Sequence, residues 1–191
     1  MALEFVIGDS QVNNSMLQAG ELEVTVNSTQ APKPKVNEIS AQELTAEQQS
    51  LIRSLVLRTL NDTLQSKYFA DIAEKKATIY YVGNFEGVAI TYMTKYGILL
   101  DILAVENPNK GIGSRLFNHV LAKSDGLVFC RSQPFRGYKD WYSKRTDRME
   151  TFPNVQNTPY DHFFKEMSQS QIVGACELFR NKLSNYEPRA H

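Results

Sequence analysis

The glycine-rich sequence KGIGS at residues 110–114 follows an apolar run that ends at Val105. Apolar residues recur after it at helical spacing, so we interpret it as a turn between a buried strand and a helix. The first N–H groups of a helix have no partner inside the helix and attract anions such as phosphate. The sequence therefore predicts a phosphate-binding turn, whose donors are Lys110, Gly111, Ile112, Gly113 and Ser114.

Two other phosphate-binding patterns do not fit this turn. A Walker-type loop needs Gly-Lys followed by Ser or Thr after four intervening residues, and that sequence is absent. A dinucleotide fingerprint needs a third glycine, but Leu116 stands at that position. A nucleotide triphosphatase and a dinucleotide enzyme are therefore disfavoured, while a purely structural turn stays an alternative for this motif alone.

The composition excludes several other classes of function. The 191 residues include 21 Lys and Arg against 21 Asp and Glu, so no overall charge favours nucleic acid or an anionic membrane. No apolar run approaches the roughly 20 residues of a membrane span, and the first residues do not resemble a signal peptide. We expect an intracellular protein, cytoplasmic rather than mitochondrial. Cys130 and Cys176 predict two buried free thiols, and no close Cys/His spacing predicts a metal site.

Residues 1–40 are predicted to form an appendage. Leu3–Ile7 and Leu22–Val26 have the composition of short strands, 31–35 reads as an extended Pro/Lys linker, and 36–39 is a third candidate strand. An arm or hairpin and plain disorder are both open, and an arm would offer a surface for a homodimer. Residues 41–191 then form the main domain.

The elements of this domain follow from changes in periodicity. Ser40 and Glu43 form a capping-box pattern ahead of a helical stripe that reaches Leu64, and 68–72 adds another helical turn. Runs of β type predict three consecutive antiparallel strands at 77–82, 88–93 and 98–105. A helix after Gly113 and an apolar strand at 127–130 then favour a parallel pair. Beyond these we expect a helix at 139–145, a polar loop at 149–161, and core elements at 163–164 and 172–179.

The glycine turn, placed after three such strands, resembles the pyrophosphate loop of the GNAT acetyltransferases. The family pattern is Gln or Arg, two residues, Gly, one residue, and Gly or Ala. Gly111 and Gly113 match it, whereas Pro108 stands at the leading position. The resemblance implies acetyl-CoA as co-substrate, with Gly111 and Gly113 allowing close approach of the diphosphate and Ser114 adding a hydroxyl.

A wider stretch, from about Leu44 to Phe164, resembles the acetyltransferase domain of N-acetylglutamate synthases. The matching segments are 99–105, 129–132, 139–142 and the pair Phe163-Phe164. The resemblance implies an α/β (α+β) GNAT fold. Its mixed, mostly antiparallel sheet would carry helices on both faces and be splayed between the strands at 98–105 and 127–130.

The same resemblance implies roles for individual residues. Arg131 would bind the acceptor's carboxylate, with Ser132 and Arg136 beside it, since Arg136 falls where the family has a substrate-binding Asn. Tyr142 would protonate the departing thiolate, and a backbone N–H near Ala104 or Val105 would polarise the acetyl carbonyl. Ile102 and Gln133 replace two cationic residues of the family pattern.

We therefore expect an acetyl-CoA-dependent N-acetyltransferase for a small amine or amino-acid acceptor, with glutamate as one candidate. A non-catalytic acetyl-CoA-binding regulatory module is the alternative that Ile102 and Gln133 keep open, and a general protein or polyamine acetyltransferase is a third. No metal, nucleic acid or membrane is expected to take part. The general base is unassigned, because His119, His162 and Asp101 are each readily explained as structural residues.

Overall fold

The computed structural model of the chain describes residues 34–60, 63–132, 138–153 and 159–185. These residues form one seven-stranded sheet with helices. The predicted strands at 3–7 and 22–26 and most of the predicted linker lie outside the described residues, as does Arg136.

The sheet contains a consecutive meander and a later hairpin. The strands are β1 (Val36–Ser40), β2 (Thr78–Val82), β3 (Gly87–Thr94), β4 (Gly97–Val105), β5 (Val128–Ser132), β6 (Arg148–Pro153) and β7 (Pro159–Lys165). Their order in the sheet is β1-β2-β3-β4-β5-β7-β6. All neighbouring strands are antiparallel except β4 and β5, which are parallel. The predicted mixed, mostly antiparallel sheet is confirmed.

Helices cover both faces of this sheet, as expected. They are α1 (Ala46–Leu60), α2 (Ser66–Glu74), α3 (Ile112–Lys123), α4 (Lys139–Ser143) and α5 (Gln169–Asn185), with 3₁₀ turns at Ala41–Glu43 and Pro108–Lys110. The apolar residues of α1, α2 and α5 pack on one face, which we call the first face. Those of α3 and α4 pack on the opposite, second face. Alternate side chains of each strand enter the two cores.

One sequence prediction is wrong: the described residues of the polar loop expected at 149–161 belong to two strands. They form most of β6 and the start of β7, which pair antiparallel from Arg148 with Phe164 to Pro153 with Pro159. Polar and apolar residues do not alternate along β6, where Glu150 and Thr151 are adjacent polar residues. The loop was predicted from polarity, and the strand is identified by its pairing with β7.

The strand predicted at 36–39 pairs with β2 along its whole length. The capping box after it is present, since Ser40 Oγ accepts from Gln42 N–H and Glu43 Oε2 accepts from Ser40 N–H. Arg115 of α3 donates to the carbonyl oxygen of Pro34 at 2.6 Å. Pro34, two residues ahead of β1, is therefore attached to the helix that begins at the glycine turn.

The parallel pair of strands separates after a short contact. Only Ile98, Leu99 and Leu100 of β4 pair with β5, opposite Val128, Phe129 and Cys130. Beyond them β5 continues to pair with β7 on its other side. We call the gap between residues 101–105 of β4 and residues 131–132 of β5 the fork; it is the splay that the resemblance implied.

A β-bulge marks the start of the fork. On β3, Ile90 pairs with Ile102 of β4 and the next residue, Thr91, pairs with Leu100. Asp101 is therefore an extra residue on β4 with no partner on β3. A bulge bends its strand and increases the local twist, which explains why β4 leaves β5 at this point.

Within the described ranges, no helix is long and apolar enough to cross a membrane. Across those same ranges, no group of three or more His, Cys, Asp or Glu side chains is arranged to hold a metal ion.

Candidate active site

The fork exposes backbone groups of β4. Glu106 N–H donates to Glu86 O at 2.8 Å, on the side of β4 that faces β3. Because successive N–H groups along a strand point to opposite sides, the N–H of Val105 points away from β3 and into the fork. By the same alternation Leu103 N–H faces the fork, and Ala104 N–H faces β3. Of the two predicted carbonyl-polarising positions, only Val105 thus presents its N–H to the fork.

The glycine turn lies directly after this open end of β4. Gly111 precedes α3 and has φ +72°, a left-handed conformation that favours glycine. An added Cβ at Gly111 would meet no atom within 4 Å. Glycine is thus favoured at position 111 by the left-handed backbone conformation, and not by a lack of space for a side chain.

The start of α3 presents N–H groups without helical partners. The first α-helical hydrogen bond runs from Arg115 N–H to Gly111 O at 3.1 Å. The N–H groups of Ile112, Gly113 and Ser114 come before it, so they have no acceptor inside the helix. Together with the positive end of the helix dipole, they favour an anion at this position.

Arg145 adds a positive charge to the same helix end. Its Nη2 donates to Ser114 Oγ at 2.9 Å and its Nη1 to Trp141 O at 3.0 Å. The guanidinium carbon also lies 4.0 Å from the centre of the Trp141 ring. A cation beside a helix N-terminus is electrostatically unfavourable unless an anion is bound between them. The sequence predicted no functional role for Arg145.

Gly87 of β3 permits the close approach of α3 and was also missed. A Cβ at Gly87 would lie 2.5 Å from Ile112 Cγ2, the first residue of α3. At Gly113, by contrast, it would make ordinary contacts at 3.7 Å with Trp141 and Val105. Close packing at Gly87 therefore fixes where the anion-binding end of α3 lies, and a glycine in a β-run was the available signal.

Tyr142 of α4 lies in an aromatic cluster on the second face. Its ring stacks on Phe163 with centres 5.1 Å apart and meets Trp141 edge-on at 5.0 Å. Burial raises the pKa of the Tyr142 hydroxyl well above its ordinary value, and nearby Cys130 adds to the shift. The phenol therefore holds its proton at neutral pH, as a proton donor must.

Arg131 lies on β5 where the fork opens. Its guanidinium carbon is 5.3 Å from the centre of the Tyr160 ring. It pairs across the strands with His162, which is 1% exposed and stacks on Phe152 with ring centres 3.7 Å apart. Burial lowers the pKa of His162 to about 4, with a smaller contribution from the Arg131 charge. His162 is therefore neutral at physiological pH, and Arg131 has no second positive charge repelling it from this neighbour.

Asp101, the bulge residue, carries a carboxylate at the same opening. Its Oδ2 accepts a hydrogen bond of 2.9 Å from the hydroxyl of Tyr68 on α2. Tyr68 is 7% exposed, and it orients Asp101 towards the first face. Asp101, explained above as a structural residue, thus accepts a hydrogen bond within the fold from a side chain of α2.

The other candidates occupy separate positions. Ser132 is buried on β5 opposite Asp161, a buried carboxylate that accepts from Thr151 Oγ1 at 2.6 Å. Cys130 is buried and Cys176 only partly so, which corrects the prediction of two buried thiols. His119 of α3 packs edge-on against Tyr80, at 5.0 Å between ring centres.

A groove of about 640 Å³ lies elsewhere, beside β1, the β2–β3 turn and the start of α1. Two of its polar groups already satisfy each other: Thr45 N–H donates to Gln48 Oε1, and Gln48 N–H donates to Thr45 Oγ1. The fork offers the unpaired backbone donors and the charged side chains, so it is the candidate active site.

Solved structures resemble this chain in fold. A ribosomal-protein-S18-alanine N-acetyltransferase from Escherichia coli is 12% identical and has a TM-score of 0.50, over 70% of this chain and 96% of its own. A GNAT-family acetyltransferase from Bacillus cereus gives 12% and 0.50, over 70% and 98%. Escherichia coli ElaA gives 13% and 0.50, over 70% and 100%.

The fold is that of the GNAT acetyltransferases. No family model matches the chain, and no curated protein matches it. At these identities the likeness concerns the fold, and the chemistry must be argued from the residues of the fork.

Proposed function

We propose that this protein is an acetyl-CoA-dependent N-acetyltransferase. The observation that carries the proposal is the continuity of the fork with the glycine turn. The N–H groups of Leu103 and Val105 face the gap between the strands, and the unpaired N–H groups at the start of α3 lie beside the open end of β4. A long co-substrate with an anionic diphosphate and a reactive carbonyl at its far end matches this arrangement.

The described residues fit acetyl-CoA at both ends. The N–H groups of Ile112, Gly113 and Ser114 would bind the diphosphate, and Arg145 beside Ser114 would add charge. Lys110, at the end of the preceding 3₁₀ turn, is exposed and adds a second cation. Val105 lies against Gly113, at the diphosphate end, so the N–H of Leu103, which also faces the fork, would donate to the thioester carbonyl, where negative charge develops during attack.

Tyr142 is the proposed proton donor to the leaving thiolate. The acceptor's amine lone pair forms the new N–C bond, the C–S bond breaks, and the thiolate takes the phenol proton. The tyrosine is restored by a proton from the acetylated nitrogen. A phenol with a raised pKa suits this role, since it stays protonated until the thiolate forms.

A small amino-acid-like molecule is the proposed acceptor. Arg131 at the mouth of the fork supplies a guanidinium for a carboxylate, as the resemblance to N-acetylglutamate synthases implies. Ile102, which stands where the family pattern has a cation, is uncharged and packs in the core of the first face at 7% exposure. It therefore offers no second contact for a carboxylate. We therefore treat glutamate as one member of an acceptor panel. The similar S18-alanine N-acetyltransferase carries an amine acceptor in its name, which supports amine acetylation on this fold.

The test combines binding with turnover. Acetyl-CoA is titrated into the protein by calorimetry, and thiol release is followed across amino acids, polyamines and peptides. Wild type should bind acetyl-CoA, and Gly111→Ala should weaken binding about tenfold, because a left-handed alanine costs roughly 1–2 kcal/mol. Gly111→Asn is the matched control and should lose less, since Asn tolerates this conformation.

Turnover separates the two candidate functions. Tyr142→Phe should lower kcat on the order of 100-fold with little change in acetyl-CoA affinity, because it removes only the transferable proton. Tight binding without thiol release on any acceptor would favour the regulatory module, to which the apolar Ile102 already points. Absence of acetyl-CoA binding would overturn the proposed function.

A further inference from the structure

The two sides of the fork carry opposite charges on the same face of the sheet. Leu99 and Phe129 pair across the parallel strands and both enter the first core, whereas the next pair, Leu100 and Cys130, enters the second. Arg131 follows Cys130 on β5, so its side chain points towards the first face, and the hydrogen bond from Tyr68 holds the bulge residue Asp101 towards that face as well. They are the first residues after the strands separate.

Contacts of both side chains agree with this assignment. Tyr68, the hydrogen-bond donor to Asp101, belongs to α2 on the first face. Tyr160, the ring beside Arg131, lies on the same face of β7 as His162, two residues further along. His162 in turn meets Phe179 of the first core at 4.7 Å between ring centres. A carboxylate and a guanidinium thus border the same opening from opposite strands.

These two charges do not neutralise each other. No ion pair joins either side chain to another in the described part of the chain, where each is instead held by its own tyrosine. Two opposite charges kept apart by separate supports form a preorganised site for a ligand that carries both signs.

We propose that Asp101 binds the ammonium group of the acceptor and takes its first proton, so that the acceptor is an α-amino acid held between Asp101 and Arg131. This rests on the proposed acetyltransferase function. The α-carboxylate meets Arg131, and the neighbouring ammonium meets Asp101 at the end of the fork where the thioester would lie. A monoamine would leave Arg131 unpaired, and a carboxylic acid would leave Asp101 unpaired.

The protons of the reaction balance with this assignment. The ammonium gives one proton to the Asp101 carboxylate, which frees the lone pair that attacks the carbonyl carbon. The second proton leaves the nitrogen as the C–S bond breaks and replaces the one that Tyr142 gives to the thiolate. Asp101 returns its proton to solvent, so each turnover produces an amide, a thiol and one released proton.

The experiment uses the full-length protein, acetyl-CoA and the twenty standard L-α-amino acids. The best acceptor is then compared with its amide, which lacks the carboxylate charge, and with the amine that lacks the carboxylate altogether. The free amino acid should exceed both by on the order of 100-fold in kcat/KM, because each analogue loses the charge-assisted hydrogen bonds to Arg131. Equal or better turnover of the two analogues would overturn the inference.

Two matched substitutions locate the effect. Asp101→Asn should lower kcat/KM for the amino acid on the order of 100-fold and remove the binding heat of that amino acid to the protein–CoA complex. The Kd for acetyl-CoA should stay unchanged. Asp71→Asn makes the same change in an ion pair of α2 with Lys75, away from the fork, and should alter neither value.

Tyr68→Phe keeps the Asp101 charge while removing its hydrogen bond, so it tests the site even if Asp101→Asn fails to fold. It should raise KM severalfold for the amino acid, and for its amide and amine as well, because all three carry the ammonium group that Asp101 binds. Unchanged amino-acid kinetics in both Tyr68→Phe and a folded Asp101→Asn would overturn the inference while leaving acetyl-CoA chemistry intact. Loss of acetyl-CoA binding by the wild type would instead overturn both.

Discussion

The two halves of β4, residues 98–100 and 101–105, are both mainly apolar but have different neighbours. Residues 98–100 are sealed between β3 and β5, and all three side chains are at most 3% exposed. Residues 101–105 keep β3 on one side and lose β5 on the other. The first half is therefore closed on both sides. The second half still packs Ile102 and Ala104 in the core, but its fork-facing N–H groups and the charges of Asp101 and Arg131 border an open gap.

The largest expected effect concerns the paired half. Phe129, opposite Leu99, is 0% exposed and meets Phe179 edge-on at 5.5 Å between ring centres. Phe129→Ala should lower the free energy of unfolding by about 3–5 kcal/mol, through lost burial and the cavity that remains. Urea unfolding followed by circular dichroism measures the change.

Met93 provides the control for that substitution. It pairs with Ile98 at the same end of β4, but its side chain is 74% exposed. Met93→Ala should change stability by no more than about 0.5 kcal/mol. If the two substitutions cost the same, the paired half would not be the sealed core described above.

A smaller effect is expected where β3 meets the open half. The methyl group of Gly87→Ala would meet Ile112 Cγ2 at 2.5 Å and Val105 Cγ1 at 3.2 Å. Overpacking of this kind costs about 1–3 kcal/mol, and it should also shift the start of α3 and weaken acetyl-CoA binding. Thermal unfolding without acetyl-CoA measures the loss of stability, and the smaller stabilisation by added acetyl-CoA measures the weaker binding.

Gly113→Ala is the matched substitution for stability. Its methyl group would make contacts at 3.7 Å, and alanine is the better helix former. The free energy of unfolding should therefore be unchanged or slightly higher. Destabilisation equal to that of Gly87→Ala would contradict the packing assigned to the two glycines.

A further effect is a pH dependence centred on His162 beside the open half. Its pKa is about 4 in the folded protein against an ordinary 6.5, so only the unfolded chain takes up a proton between these values. Stability should consequently fall as pH drops from about 6.5 to about 4, by at most about 1.4 kcal/mol per pH unit. Urea unfolding at pH 7 and pH 5 measures this loss.

Carboxylates also titrate in this range, so the wild type alone does not isolate the histidine. His162→Leu removes the ionisable ring and approximately preserves the volume. Its stability should fall less between pH 7 and pH 5 than that of the wild type. An identical fall in both proteins would contradict the assignment of a neutral, buried His162.

Sequence patterns predicted the paired half of β4 better than the open half. The strands at 77–82, 88–93 and 98–105 follow from continuous apolar runs, and all three are present as β2, β3 and β4. The splay was predicted from a resemblance and is confirmed by the short β4–β5 register. Local periodicity alone cannot predict it, because separation of two strands depends on neighbours that are remote in sequence.

The site shows the same division. Gly111 and the start of α3 were predicted from local turn chemistry. The proximity of Arg145 to Ser114, and of Tyr68 to Asp101, joins residues 31 and 33 positions apart in sequence. Such contacts depend on tertiary packing, and no spacing rule within one helix or strand reports them. The β6–β7 hairpin was missed because β6 is largely polar and lacks alternation, so only its pairing with β7 identifies it.

The bulge has a consequence for how this chain could change over time. Ile102 and Ala104 enter the first core while Leu103 and Val105 pack on the second, as they would in a strand that lacked Asp101. Asp101 therefore occupies no place in either ladder or either core. Loss of its single codon would restore an unbroken register with β3 and keep every following side chain on its present face. The acidic group could thus have been gained or lost by one insertion or deletion, independently of the sheet that carries it.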